Sequence, residues 1–284
     1  MGPASDARAA GAPLKWLLLV LWWVSPMAWA ADVPDPDASA VWQKIRASLF
    51  AGKAITQSQG AQLRLELPAR AEDAATVPVA IHSNLPLNGQ ISVEKIYLIV
   101  DDNPSPIAAV FSLHPLAGRV DLETRIRVET YTHVRALALM SDGSALMTVK
   151  YIKAAGGCSA PAGREAEAAN IGKMRLSLPQ GLQAGRATQV QLMVNHPNES
   201  GLAMDQLTRL YPPAYYVRSL EVRYQGAPVL SAELDFAISQ NPHFRFYLLA
   251  AGDGPLEVTV TDTQDRVFKS AATLAALDRP QPRQ

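Results

Sequence analysis

The sequence predicts an all-β protein of two tandem antiparallel sandwiches, entered through one short helix that follows an export signal. Three observations carry this reading. Apolar residues recur at every second position in many short runs on both sides of residue 154. Clusters of Gly, Pro, Asn and Asp separate those runs at turn-like intervals. No crossover pattern of period 3.6 lies between them, which a parallel sheet would need. With 284 residues, 48% hydrophobic and 18% charged, the chain can bury more than one core.

The segment 1–30 reads as a signal peptide. Arg8 and Lys15 give it positive charge, Trp16 to Val24 form an unbroken apolar run, and Pro26 ends that run. Ala28-Trp29-Ala30 then fits a small-x-small cleavage site, so cleavage is expected after Ala30. The apolar run falls short of the ~20 residues of a membrane span. No Leu-x-x-Cys lipobox is present, so no membrane anchor is expected after cleavage. The exported chain would carry 24 basic and 25 acidic side chains and a single tryptophan, Trp42. That balance gives no electrostatic case for nucleic acid or an anionic membrane surface.

After a proline-broken linker at 32–39, Ser39 can cap a short helix carrying Trp42, Ile45 and Leu49 on one side, with Gly52 past its end. The period then changes to two. Leu63, Leu65 and Leu67 alternate with Arg64 and Glu66; Val77, Val79 and Ile81 alternate again; Glu94 to Val100 ends in a dense apolar strand. Asp101-Asp102-Asn103-Pro104 is a turn, Arg125 to Thr130 alternates, and Ser141-Asp142-Gly143-Ser144 turns into a strand from Leu146 to Ile152. In the second half the alternating sets are Met174, Leu176, Leu178; Val190, Leu192, Val194; Leu220, Val222, Tyr224; Phe244, Phe246, Leu248; and Leu256, Val258, Val260. Gln225-Gly226 turns the chain toward Val229. The expected domains are 31–153 and 171–276, joined by an exposed arm at 154–170, with a disordered tail at 277–284.

That arm holds the only cysteine. In Ala154-Ala155-Gly156-Gly157-Cys158-Ser159-Ala160-Pro161-Ala162-Gly163, glycine loosens the backbone and proline removes a donor, so neither strand nor helix continues. The expectation is an exposed, mobile connector bearing a thiol. In an oxidising compartment a lone Cys158 has no partner in its own chain and must be free, modified or paired elsewhere. Lys150, Lys153 and Arg164 lie close in sequence and could favour the thiolate, although solvated strand-end charges are the plainer account.

The quoted residues resemble a known family. The stretch from Trp42 to Phe50, the run from Leu65 to Val79, Tyr97 to Pro104, Arg125-Ile126-Arg127-Val128 and the cysteine arm look like SoxY. His196 to Gly201, Pro213-Ala214-Tyr215-Tyr216-Val217, Asn241-Pro242, Phe244 to Phe246 and the Asp262 turn look like SoxZ. The chain thus resembles a fused SoxYZ-type sulfur carrier, of the subset associated with quinoprotein dehydrogenases. The resemblance implies two immunoglobulin-like sandwiches in tight intramolecular pairing, in the periplasm. It implies a carrier, not an enzyme, that holds a sulfur-containing intermediate covalently on Cys158, with Gly156 and Gly157 as the flexible arm. Partners implied are periplasmic redox or sulfur-metabolism enzymes, with a quinoprotein dehydrogenase and c-type cytochromes as candidates, and no cofactor. Ser159 and Ala160 stand where the family arm has further glycines, and here the arm runs on into a second domain.

Other constellations are weak. His82, His114, His133, His196 and His243 show no metal-ligand spacing, and Glu72-Asp73 and Asp101-Asp102 read as loop charges. Neither Gly-x-Ser-x-Gly nor a P-loop occurs, so no catalytic constellation is visible. Asn198-Glu199-Ser200 is formally a glycosylation sequon. A different class of function remains open beside the carrier: a non-covalent accessory or assembly module of a periplasmic quinoprotein (PQQ) alcohol or methanol dehydrogenase system. Only the carrier needs the sulfur of Cys158.

Overall fold

A computed structural model describes residues 33–161, 168–183 and 185–278, besides Gly2. The segment expected to be a signal peptide, Gly2 aside, and residues 279–284 of the expected tail lie outside the described residues; Leu277, also placed in that tail, is instead helical and buried. The first half contains helix α1 (Ala40–Leu49) and strands β1 (Ile55–Gln57), β2 (Leu63–Glu66), β3 (Val77–Ser83), β4 (Val93–Val100), β5 (Ile107–Leu113), β6 (Val120–Ile126), β7 (Thr132–Met140) and β8 (Ala145–Ile152). The second half contains β9 (Met174–Ser177), β10 (Ala187–Val194), β11 (Val217–Tyr224), β12 (Ala227–Leu234), β13 (His243–Leu249), β14 (Pro255–Asp262), β15 (Val267–Thr273) and a short helix α2 (Leu274–Leu277).

Every second residue of β2 and β10, and Val77, Val79 and Ile81 of β3, are buried, as the alternation requires. The turns follow their chemistry: Gln225 and Gly226 both take positive φ between β11 and β12, the backbone of a tight two-residue hairpin. The alternation read over 125–130 ends at Ile126; the next residues leave the sheet, and Arg127 becomes buried.

Each half contributes to both sheets. A nine-stranded sheet runs β1-β8-β7-β4-β5-β12-β11-β14-β15 and a six-stranded sheet runs β2-β3-β6-β13-β10-β9. The halves therefore join edge to edge. Five residue pairs link β5 to β12, and a single pair, Glu123 with Arg245, links β6 to β13. One hydrophobic core spans the join, where Phe111 of β5 meets Phe244 of β13 edge-on at 6.4 Å between ring centres. Four edges that separate domains would expose, those of β5, β12, β6 and β13, are thereby consumed.

Helix α1 covers the outer face of β4, β7 and β8. Ser39 caps it through a 3.1 Å bond from the Trp42 amide. Trp42, Ile45 and Phe50 pack on Ile99, Leu137 and Met147; Leu49, expected on that side, is exposed and Phe50 takes its place. Beneath Trp42 the buried Arg135 places Nε and Nη2 on Asp101, with its guanidinium 4.5 Å from the indole. Asp101 is thus half of a fully buried ion pair, not a loop charge. Among the described residues no helix is long and apolar enough to cross a membrane.

Candidate functional site

Beyond β8 the chain does not swing free. The Lys153 amide donates to Ala69 and its carbonyl accepts from the Ala71 amide, which holds the strand end against 69–71. Gly156, at φ +80, makes a turn that a side chain would strain, and its amide donates to the Glu129 carbonyl at 2.8 Å. The Gly157 amide then donates to the Val128 carbonyl at 2.9 Å. A Cβ on Gly157 would stand 2.0 Å from the Ala74 carbonyl oxygen and 2.7 Å from the Val128 nitrogen. Only glycine passes between those two backbones. At Gly157 the need is therefore for close approach, not for looseness.

Cys158 has no exposed surface. This corrects the expected exposed arm: Ala155, Gly156, Ser159 and Pro161 face solvent, but Gly157 and Cys158 are buried. The physical reason is a clamp of three side chains. The Glu129 carboxylate accepts from the Cys158 amide at 2.8 Å, the Ser159 amide at 3.1 Å and the Ser159 hydroxyl at 2.6 Å. The Ser200 hydroxyl, from the second half, donates to the Cys158 carbonyl. The Arg127 guanidinium donates through Nη1 to the Gly157 carbonyl and through Nη2 to the Asn198 carbonyl, both at 3.1 Å, and so joins the two halves.

Asn103 supports the clamp from below. Its amide nitrogen donates to the Arg127 carbonyl at 2.8 Å and its oxygen accepts from the Glu129 amide at 2.9 Å. Asn198 supports it from the other side. It takes positive φ, donates to the Ile238 carbonyl and accepts from the Val217 amide. Because Asn198 is wholly buried and bonded, its sequon offers no accessible acceptor. The Asn198 backbone amide donates to His196 Nδ1, and His196 lies tilted by 55° against Tyr215, with 4.4 Å between ring centres; the Tyr215 hydroxyl bonds Asp262. Burial pushes His196 down to about 4, partly offset by the Asp262 charge.

The clamp sets the thiol's chemistry. Burial pushes the Cys158 thiol up to about 12; the Glu129 charge adds to this and the Arg127 charge opposes it. At pH 7 a group with that value is ionised to about one part in 10⁵. Seated, the sulfur is both shielded and unreactive. The cation that acts on it most strongly is Arg127, brought in by the fold, and Arg164 lies outside the described residues. Beside the clamp, the second-half loop after Ser200 forms a cavity of about 130 Å³ with Ala160 and Pro161, lined also by Met204 and Pro212. The remaining histidines stand apart. His82 bonds Asp121 at 3.0 Å and His133 lies edge-on to Tyr151.

Sequence reading missed Arg127, Glu129, Ser200 and Asn198 as site residues. The one local signal was Arg127 and Glu129 inside an alternating run that ends before them.

Fold and site define a two-layer β-sandwich with one cysteine clamped where two half-sandwiches meet. Family comparison then names the halves. Residues 46–158 match the family described as sulfur oxidation protein SoxY, and residues 174–273 match sulphur oxidation protein SoxZ. The chain belongs to the fused SoxYZ type, with SoxY and SoxZ domains in tandem, a family of sulfur-oxidation carriers. Among solved structures it is similar to the sulfur carrier protein SoxY from Chlorobium limicola f thiosulfatophilum, at 21% identity over 41% of this chain and 97% of that one, with a TM-score of 0.35. It is also similar to a superoxide reductase (neelaredoxin) from Ignicoccus hospitalis, at 13% identity over 35% of this chain and 93% of that one, with a TM-score of 0.31. No curated protein matches the chain.

Proposed function

We propose that this chain is an exported, periplasmic thiol carrier that holds a sulfur-containing intermediate covalently on Cys158 and presents it to partner enzymes. The observation that carries the reading is the position of the sole cysteine. It is the last residue of the SoxY match, in a segment fastened by side chains instead of being woven into a sheet. Such a segment can be released without unpairing a strand.

Release is required before chemistry. Six hydrogen bonds hold Gly157 to Ser159: one from the Gly157 amide, one to its carbonyl, three on Glu129 and one from Ser200. At about 0.5–1.5 kcal/mol each they hold the segment by roughly 3–9 kcal/mol. The open form is then present at about 10⁻² to 10⁻⁶ of the protein, a population that docking of a partner can shift. Once open, the thiol returns toward its ordinary range of about 8.5 and becomes a competent nucleophile. Closure returns it to shelter, which suits an oxidising compartment. Loading and unloading partners are proposed among periplasmic sulfur-metabolism and redox enzymes.

A second reading has one observation in its favour. The burial of Cys158 suits a chain whose cysteine never reacts, acting as a non-covalent accessory to a quinoprotein dehydrogenase. A Cys158→Ser chain expressed in place of the native one decides between them. The carrier reading expects loss of sulfur-dependent growth with folding intact, whereas the accessory reading expects full function without the sulfur.

A further inference from the structure

Buried arginines need anions. Of the two guanidiniums buried among the described residues, Arg135 has one, with Nε at 2.8 Å and Nη2 at 2.6 Å from the Asp101 carboxylate. Arg127 has none. It is 2% exposed, its two bonds go to the neutral carbonyls of Gly157 and Asn198, and its buried Nε has no hydrogen-bond partner. Among the described residues no carboxylate lies within ion-pair distance of it, although Asp73 and Glu199 act on it from farther away. An uncompensated buried cation is among the costliest arrangements a fold can keep. The group bonded to Arg127 is the peptide directly before Cys158, and Cys158 is the group whose negative charge would act on it most strongly. At rest that thiol is neutral.

Resting on the carrier reading, we propose that Arg127 is the counter-ion of the cargo: the adduct seated on Cys158 ends in an anion, a terminal sulfane sulfur or a sulfonate, and Arg127 pairs with it. The unpartnered Nε is the donor left for it. The clamp is complete only when loaded, so an anionic adduct favours reseating and a neutral one does not. Glu129 and Asp235 face the same sulfur with negative charge and oppose the anion, so Arg127 must outweigh both. Arg127 makes and breaks no bond in this account; it selects the cargo by charge.

Two near-isosteric adducts test the charge alone. Displacement of iodide by the Cys158 thiolate gives S-carboxymethyl from iodoacetate and S-carbamidomethyl from iodoacetamide, which differ in charge but hardly in size. Labelling in mild denaturant followed by refolding would load each in full. For the whole chain, one charge-assisted bond of about 1.5–3 kcal/mol predicts a Tm higher by roughly 3–12 °C for the carboxymethyl form. Arg127→Met should abolish that gap, and Arg127→Lys should retain part of it. A gap absent or reversed in the native chain, or one that survives in Arg127→Met, overturns the proposal. The native pair alone decides should Arg127→Met fail to fold. The carrier reading is tested separately with tetrasulfide. There the Cys158 thiolate takes one terminal sulfur, leaving a persulfide anion on the protein and trisulfide in solution, with no net oxidation. If no sulfur is added under opening conditions, the carrier reading fails, while the isostere gap still decides the role of Arg127.

Discussion

Gly157→Ala is the sharpest perturbation available, because it adds one carbon where the structure has no room. The new Cβ would lie 2.0 Å from the Ala74 oxygen, 2.6 Å from the Ala74 carbonyl carbon and 2.7 Å from the Val128 nitrogen. These are backbone atoms already bonded to each other, the Val128 amide donating to the Ala74 carbonyl at 2.9 Å, so neither side can yield cheaply. The segment from Gly157 to Ser159 must leave, and the roughly 3–9 kcal/mol that holds it is no longer realised. Native alkylation of Cys158 reports the open population, so its rate should rise at least ~100-fold and approach that of denatured protein. Tm should fall by roughly 2–4 °C for each kcal/mol of clamp energy lost, while the β signal of the folded state is kept, since both sheets stay paired. Gly156→Ala is the control. Its Cβ meets nothing within 4 Å, and only the strain of φ +80 applies, about 1–2 kcal/mol or roughly 5- to 30-fold in labelling. Equal labelling of Gly157→Ala and the native chain, or no excess over Gly156→Ala, would refute the clamp.

Glu129→Gln keeps the shape of the clamp but removes its charge. Labelling of Cys158 should rise roughly ten- to 150-fold, the worth of one charge-assisted bond, and Tm should fall by roughly 3–12 °C; an unaltered rate would show that Glu129 does not hold the segment. His196 is held near 4 in the folded protein against an ordinary 6.5, so between those values the unfolded chain binds a proton that the native chain refuses. Its contribution is complete above pH 6.5 and drains away toward pH 4, by about 3 kcal/mol, and denaturant melts of the native chain and His196→Gln should converge at acid pH. Asp101→Ala strands the buried Arg135 and should cost about 3–5 kcal/mol, or roughly 6–20 °C in Tm, with a red shift of Trp42 emission as α1 loosens; an unshifted Tm would remove that pair from the account.

The sandwich was legible in the sequence because alternation is local: Leu63 and Leu65, or Val190, Leu192 and Val194, announce their buried faces within one strand. Strands with both faces covered were harder to read. β7 is buried at almost every position, since α1 lies over its outer side, so Thr132–Met140 shows no alternation. The site was legible only as a residue, Cys158. Its environment comes from Ala74, Arg127, Glu129 and Ser200, the last 42 positions away, and no window around Gly-Gly-Cys contains them. Local composition spoke for exposure, and tertiary closure overrode it. Gly156 and Gly157 look alike in the sequence, yet one serves a positive φ and the other a close approach. The edge-to-edge join of the halves rests on β5 with β12, which no turn signal connects.

The most direct measurement of the central claim is intact and peptide mass spectrometry of the chain recovered from the envelope of its own cells during growth on reduced sulfur, without reductant. The account predicts added sulfur or sulfur oxyanion mass on the peptide containing Cys158, retained on native protein and released by thiol reductant only once the segment is opened. A Cys158 found uniformly as the bare thiol, in cells that oxidise sulfur equally well with Cys158→Ser, would contradict it.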